Sequence, residues 1–300
     1  MILVDPFGRK ATGLRMALTS RCNLRCIYCH QEGDVAHQKE ISCQIAVSVA
    51  KAAADLGMRS IKFTGGEPLM RSDLEDIIRQ MPNGLDLSLT TNGIFLADRA
   101  ESLVDAGLDR LNISLDSINP GVYRSITGCK DGDFDRVIKG IDAAKNVGLE
   151  PIKLNVVVLK QNEHEISHLI DFSRSRGLIL QLIELMDLKG LGISGNIEKI
   201  EVGLQDGADR VITREMHRRK KYFLDGAEVE VVRPMDNTEF CAHCTRLRVT
   251  SDGRIKPCLL RNDNLVEIRS CDSEEIKRLL QLANKRREPY FSKNTFFKGN

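Results

Sequence analysis

From residue 14 to about residue 185 the chain alternates between short apolar or β-branched runs and longer stretches with helical spacing. The runs are LRMALT (14–19), SIKFT (60–64), LDLSLTT (85–91), RLNISL (110–115), IKLNVVVL (152–159) and LILQLIEL (178–185). Between them the 3.6-residue pattern predicts helices over 42–56, 72–81, 95–106, 134–147 and 163–176. Ser42 and Ser72 stand where N-caps belong, and Gly57, Gly107, Gly148 and Gly177 stand just past the predicted C-termini. Six such β/α units demand parallel strands and right-handed crossovers. An open doubly wound sheet and a complete or partial barrel both satisfy this α/β pattern. No GxGxxG follows the first strand, which removes the main support for a dinucleotide-binding version.

In either layout, chemistry gathers at the carboxyl ends of the strands. The polar clusters obey that rule. A cysteine loop follows the first strand, GGEP (65–68) the second, TNG (91–93) the third, SLDS (114–117) the fourth and ELMD (184–187) the sixth. One shared mouth accounts for all five. After residue 187 the alternation stops. The charged stretch REMHRRKK (214–221) reads as a solvated helix face. Asp252-Gly253, between two β-like runs, predicts a hairpin. Residues 1–189 thus read as one unit, and residues 190–300 as an extension that caps its mouth.

Composition narrows the class. With 300 residues, 42% of them hydrophobic, and a formal net charge of +2, the chain reads as a soluble globular protein rather than a nucleic-acid binder. The amino terminus, MILVDPFGRKATG, lacks the features of a signal peptide, and no run approaches a membrane span. A cytoplasmic location is expected. In that compartment nine cysteines point to metal ligation or redox work rather than disulfides.

Six of the nine fall into two trios. The first is C-x3-C-x2-C, Cys22, Cys26 and Cys29; the second is C-x2-C-x13-C, Cys241, Cys244 and Cys258. Structural zinc wants a closed set of four ligands. His30 is a conceivable fourth for the first trio, but it adjoins Cys29, where chelation would be strained. Cys271 could close the second set, and His243 lies awkwardly inside its pair. A [4Fe–4S] cube bound by three thiolates instead keeps one iron open to an outside ligand. Cys43 and Cys129 stand alone and read as buried thiols or loop residues.

C-x3-C-x2-C just after a first strand, with GGEP one unit later, resembles the radical S-adenosylmethionine (SAM) superfamily. DPFGRKATGLRMALTSRCNLRCIYC, FTGGEPLMR, TTNG, NISLDS, NVVVLK, LIELMD and the second trio's C-x2-C-T-R-L-R-x9-C together resemble the GTP 3′,8-cyclases of molybdenum cofactor biosynthesis over nearly the whole chain. The resemblance implies an incomplete (β/α)6 TIM-like barrel with a carboxy-terminal auxiliary-cluster extension. It implies two [4Fe–4S] clusters, held by Cys22, Cys26 and Cys29 and by Cys241, Cys244 and Cys258. SAM bound at the first cluster would be cleaved reductively, and the 5′-deoxyadenosyl radical would take the C3′ hydrogen of GTP so that C3′ attacks C8 of guanine. Tyr28, Gly66, Ser114 and Met186 would contact SAM; Gly66 suits a close backbone approach to its methionine end. Arg15, Lys62, Thr90, Lys153, Arg246 and Arg248 would bind GTP. An electron donor and the next enzyme of the pathway are the protein partners implied, and a homodimer is compatible with it.

Two positions depart from the family pattern: Gln181 stands where many members have arginine, and the sequence given ends Lys298-Gly299-Asn300 where many have Gly-Gly. A radical SAM enzyme of another kind, such as a peptide-modifying enzyme with an auxiliary cluster, and a non-catalytic zinc-binding module are the competing readings.

Overall fold

The computed structural model describes residues 2–33, 39–235 and 237–289. A short antiparallel pair, β1 (Leu3–Val4) and β2 (Lys10–Ala11), opens the chain. The predicted alternation then appears with few changes: β3 (Gly13–Ala17), α1 (Cys43–Asp55), β4 (Ser60–Thr64), α2 (Leu74–Arg79), β5 (Asp86–Thr91), α3 (Ala100–Asp105), β6 (Arg110–Ser114), α4 (Pro120–Thr127), α5 (Asp133–Asn146), β7 (Ile152–Val158), α6 (Ile166–Ser175) and β8 (Ile179–Glu184). Ser42 caps α1 by accepting from the Ile45 amide, whereas Asp73, not Ser72, stands at the cap of α2. Helix α4 is additional to the predicted set, yet its signals are ordinary. Asn119 accepts from the Gly121 and Val122 amides, Pro120 is the first helical residue, and Gly128 ends the helix at φ 64°.

The rest of the chain adds α7 (Ile197–Gly207), β9 (Arg210–Thr213), β10 (Lys220–Leu224), β11 (Ala227–Val232), α8 (Thr238–Ala242), β12 (Arg246–Val249), β13 (Arg254–Lys256), β14 (Val266–Glu267) and α9 (Ser273–Lys285). Asp252-Gly253 makes the predicted hairpin turn between β12 and β13. REMHRRKK is not a helix face. It spans a tight turn and the start of β10, with His217 and Arg218 in the left-handed region. Its apolar content is too low to specify an amphipathic helix, and strand pairing on both sides of the turn decides its shape.

Twelve strands share one sheet in the order β14-β13-β12-β3-β4-β5-β6-β7-β8-β11-β10-β9, parallel from β12 through β11. The extension, expected to cap the mouth, is built into the same sheet. It adds a parallel strand to each edge of the six-strand set. The physical reason is the edge: β3 and β8 would otherwise present unpaired backbone groups, and β12 and β11 satisfy them.

The sheet curves. Gly13 of β3, Lys62 of β4, Ser88 of β5, Asn112 of β6, Lys153 of β7, Gln181 of β8 and Arg246 of β12 all line one cavity of about 530 Å³. A flat sheet could not bring these strands to one space. Alternate residues, among them Met16, Phe63, Leu89, Ile113, Leu154 and Leu182, face the other way and are fully buried in the core beneath the helices. Fully covered parallel strands normally read as continuous apolar runs. Here the inner face is polar because it bounds a cavity.

Candidate active site

At the carboxyl ends, the cysteine loop is fixed mainly by backbone contacts. The amides of Arg25 and Ile27 donate to the carbonyls of Thr127 and Ile126 at the end of α4, both at 2.9 Å. Cys22 Sγ accepts from the Leu24 amide and Cys29 Sγ from the Gln31 amide, each at 3.4 Å. Burial pushes the thiols of Cys22 and Cys26 upward, and the neighbouring cysteines of the loop add to the effect. The Cys22 and Cys26 thiols thus have little charge to stabilise them as thiolates, and a cationic group would remove that cost.

Gly65 and Gly66 lock the loop to the barrel. A Cβ on Gly66 would lie 2.2 Å from the Arg21 carbonyl oxygen, and one on Gly65 would lie 2.3 Å from that of Thr19. Gly65 also has φ +149°. Both glycines allow a close approach to the protein's own chain: the Gly66 and Glu67 amides donate to Thr19 and Arg21 carbonyls at 2.7 Å. Glu67 is a residue that sequence reasoning passes over. Its buried carboxylate accepts from the Leu69 and Asn92 amides and the Thr91 hydroxyl, joining GGEP to TTNG. Burial pushes it up to about 7. Asn92 donates onward to Asn23 beside Cys22 at 2.7 Å.

Tyr28 is held the same way. Its hydroxyl donates to Asp116 of SLDS at 2.6 Å, and Asp116 also accepts from the Val157 amide. Burial raises Asp116 to about 6. Ser114 stands two residues earlier at the end of β6, and Met186 two residues beyond β8; both are half-buried.

Below this rim the inner face carries cations. Arg248, Arg15 and Lys62 occupy one register position across β12, β3 and β4. Neighbouring strands lie about 4.8 Å apart, so three side chains at one level converge on a small volume. Thr90, Asn112 and Lys153 form a similar row across β5, β6 and β7. Burial, with Arg246, Arg15 and Lys153 nearby, pushes the Lys62 ammonium well below its ordinary value. Burial and the Arg15, Arg219 and Arg248 charges push Arg246 down to about 9.

Two acids that the sequence does not single out partly offset this charge. Glu32 accepts from Arg15 at 2.5 Å, Arg248 at 3.1 Å and the Thr64 hydroxyl at 3.0 Å. Burial opposes its ionisation, but Arg15 and Arg248 outweigh it and hold the carboxyl at about 2. Glu230 of β11 pairs with Lys153, Arg214 and Arg219. Neither acid lies in a recognisable motif, and only the fold reveals them.

The second trio sits at the opposite end. Thr245 offers its carbonyl to the Thr12 and Gly13 amides at the start of β3, and β12 leaves from there parallel to β3. Cys241 and Cys244 therefore precede β12 at the amino ends of the strands. Cys258 returns there because β13 runs antiparallel to β12. The same chain directions carry Cys271 away: β14 runs towards the hairpin tip, where the Ile268 amide donates to the Gly253 carbonyl. Burial pushes the Cys244 thiol up, but Arg287, the Arg246 amide and Arg248 more than reverse this. Cys244 lines the cavity with Lys62, Lys153 and Arg246. The five residues of β3 set the scale between the two ends, about 17 Å at ~3.3 Å per residue.

Among the described residues, no three His, Cys, Asp or Glu side chains converge on a single ion. In an iron–sulfur cube each thiolate binds a different iron. No helix among the described residues is long and apolar enough to cross a membrane. Lys298-Gly299-Asn300 lies outside the described residues.

Residues 16–173 match the Radical SAM superfamily, and residues 178–293 match Molybdenum Cofactor Synthesis C. A probable GTP 3′,8-cyclase of Methanocella arvoryzae is 49% identical over 98% of this chain and 96% of its own length. That of Methanocaldococcus jannaschii is 46% identical, covering 96% of this chain and 98% of itself. The chain belongs to the GTP 3′,8-cyclase family of radical SAM proteins. Among solved structures, Streptococcus suis SuiB bound to S-adenosylmethionine superposes with a TM-score of 0.65 at 17% identity, covering 83% of this chain and 61% of SuiB. AdoMet-bound anSMEcpe gives 0.59 at 15%, covering 92% and 82%. These likenesses concern the fold, and they agree with a partial TIM-like barrel.

Proposed function

We propose that this chain is a GTP 3′,8-cyclase, the enzyme that opens molybdenum cofactor biosynthesis. The carrying observation is the placement of two cysteine trios at opposite ends of one barrel interior whose inner face is lined with cations. In this reading Cys22, Cys26 and Cys29 hold one [4Fe–4S] cluster, and Cys241, Cys244 and Cys258 hold the other. Residues 1–189 form the SAM-cleaving unit, and residues 190–300 bring the second cluster. When bound, the first cluster and SAM would supply the one-electron chemistry that moves the C3′ hydrogen of GTP to the 5′ carbon of the adenosyl group of SAM and joins C3′ to C8 of guanine.

The chain's own residues do the rest. Asp116 orients Tyr28, and the glycine pair lets GGEP seat the cysteine loop; Gly66, Tyr28, Ser114 and Met186 then frame SAM. Arg15, Lys62, Lys153, Arg246 and Arg248 draw the triphosphate inward, with Thr90 on the same inner face. Converging, largely buried cations bind phosphate strongly because each is poorly solvated without it. The curved sheet excludes water from the reacting carbon, and the walls hold the two reactants in one orientation. A soluble electron donor must reach the first cluster, and the product passes to a later enzyme of the pathway. We place the protein in the cytoplasm, with a homodimer as a compatible assembly.

The competing peptide-modifying reading rests on fold likeness at 17% identity or less, whereas the cyclase relatives match along nearly the full chain. Anaerobic reconstitution with iron and sulfide, followed by reduction and addition of SAM and GTP, tests the choice. The expected result is 5′-deoxyadenosine together with a cyclised guanosine triphosphate. SAM cleavage that occurs only when a peptide is supplied would overturn the proposal.

A further inference from the structure

We propose that Arg214 and Arg219, carried into the cavity by the turn between β9 and β10, form with Lys153 a second phosphate-binding wall for the GTP tail. This rests on the cyclase reading and adds residues that neither the sequence motifs nor the register rows named.

Three independent features support it. First, position: both arginines line the same cavity as Lys62, Arg246 and Cys244. The turn that delivers them is pinned beside the second trio. The His217 ring stacks on Phe240 with centroids 3.8 Å apart, and its amide donates to the His243 carbonyl at 3.1 Å. Second, charge balance: Lys153, Arg214 and Arg219 share one carboxylate, Glu230, with Arg214 Nη1 at 3.3 Å and Arg219 Nη1 at 2.8 Å. One acid against three bases leaves two positive charges on the wall. Gln181, beside Glu230 in the register of β8, contributes none. The other lining acids do not cancel them, because Asp86 is engaged by Arg110 and Glu215 is exposed. Third, an open donor: Arg219 is only 8% exposed, and its Nε has no hydrogen-bond partner among the described residues. Pairing with Glu230 through Nη1 leaves that buried donor unfilled. A guanidinium with an unfilled N–H and surplus charge suits phosphate oxygens.

The test is binding to the reconstituted, anaerobic holoenzyme, measured by equilibrium dialysis with GTP and guanosine, and by competition with inorganic tripolyphosphate. Arg219→Gln is expected to weaken GTP about tenfold, the loss of one charge-assisted contact, and Arg214→Gln somewhat less. Guanosine affinity and iron content should stay at the wild-type level, and tripolyphosphate should lose potency by a similar factor. Adding Gln181→Arg to Arg219→Gln should restore most of the GTP affinity, because the new guanidinium would enter beside Glu230. Unchanged GTP binding in both single variants, or equal losses for GTP and guanosine, would overturn the inference while leaving the cyclase reading intact. Failure of the wild type to bind GTP would overturn both.

Discussion

At the carboxyl ends of the strands, the first cysteine loop is held by amide hydrogen bonds, glycine contacts and two buried carboxyl groups that burial pushes up to about 7 and 6. At the amino ends, the second trio stands among arginines, and the nearby acid Glu230 is held down at about 2. One end is shaped by backbone, the other by charge. A small cofactor gripped through its own polar groups needs precise loops, whereas a triphosphate needs converging cations whatever loop brings them. The two ends should therefore fail separately when perturbed.

The sharpest way to break that contrast is to remove one ligand from each trio. Cys26→Ala should abolish SAM cleavage while GTP still binds. Cys244→Ala should leave 5′-deoxyadenosine formation in place but eliminate the cyclised product. Chromatography of both products checks this, and cyclisation surviving Cys244→Ala would refute the division. Next, Gly66→Ala inserts a Cβ 2.2 Å from a carbonyl oxygen. Overpacking of this kind costs roughly 1–3 kcal/mol. Thermal unfolding should show the loss, and dialysis should show weakened SAM binding with GTP binding retained.

The charged half can be read through pH. Burial opposes ionisation of Glu230, but Arg219, Lys153 and Arg214 hold its carboxyl at about 2, against an ordinary value near 4.5. That depression stabilises the fold by about 3 kcal/mol above pH ~4.5, and the contribution is lost as pH falls towards 2. Urea unfolding of cluster-free protein should show this acid limb, and Glu230→Gln should flatten it while lowering stability at neutral pH. The smallest effect is expected at Glu32, which occupies Arg15 and Arg248. Glu32→Gln should tighten GTP binding by about threefold, because the triphosphate would no longer have to displace Glu32 from Arg15 and Arg248. Weaker binding would mean that Glu32 orients the arginines rather than competing for them.

Much of the upper end is legible in the amino-acid order alone. C-x3-C-x2-C, GGEP, TNG and SLDS each lie within a few residues, at strand ends that periodicity can locate. The role of Gly66 is half legible: its need for space is clear, but the atom filling that space, the Arg21 carbonyl, lies 45 residues away. Arg246 and Arg248 can be read from their alternation on a strand, whereas Arg214 and Arg219 look like a solvated face. Local composition cannot show that a turn projects inward. Glu32 and Glu230 carry no signal, since an acid becomes notable only when cations surround it.

The sequence by itself determined the strand–helix alternation, the two cysteine trios and the turn at Asp252-Gly253, because backbone dihedrals and ligand spacing are set by near neighbours. Only the tertiary structure decided that the extension completes the sheet edges. It also decided that the second trio meets the cavity from the amino end, and which acids balance which bases. Those outcomes depend on the direction and register of β12 beside β3. They are fixed by satisfying edge hydrogen bonds between strands more than two hundred positions apart and by burying charge among residues that local sequence does not bring together.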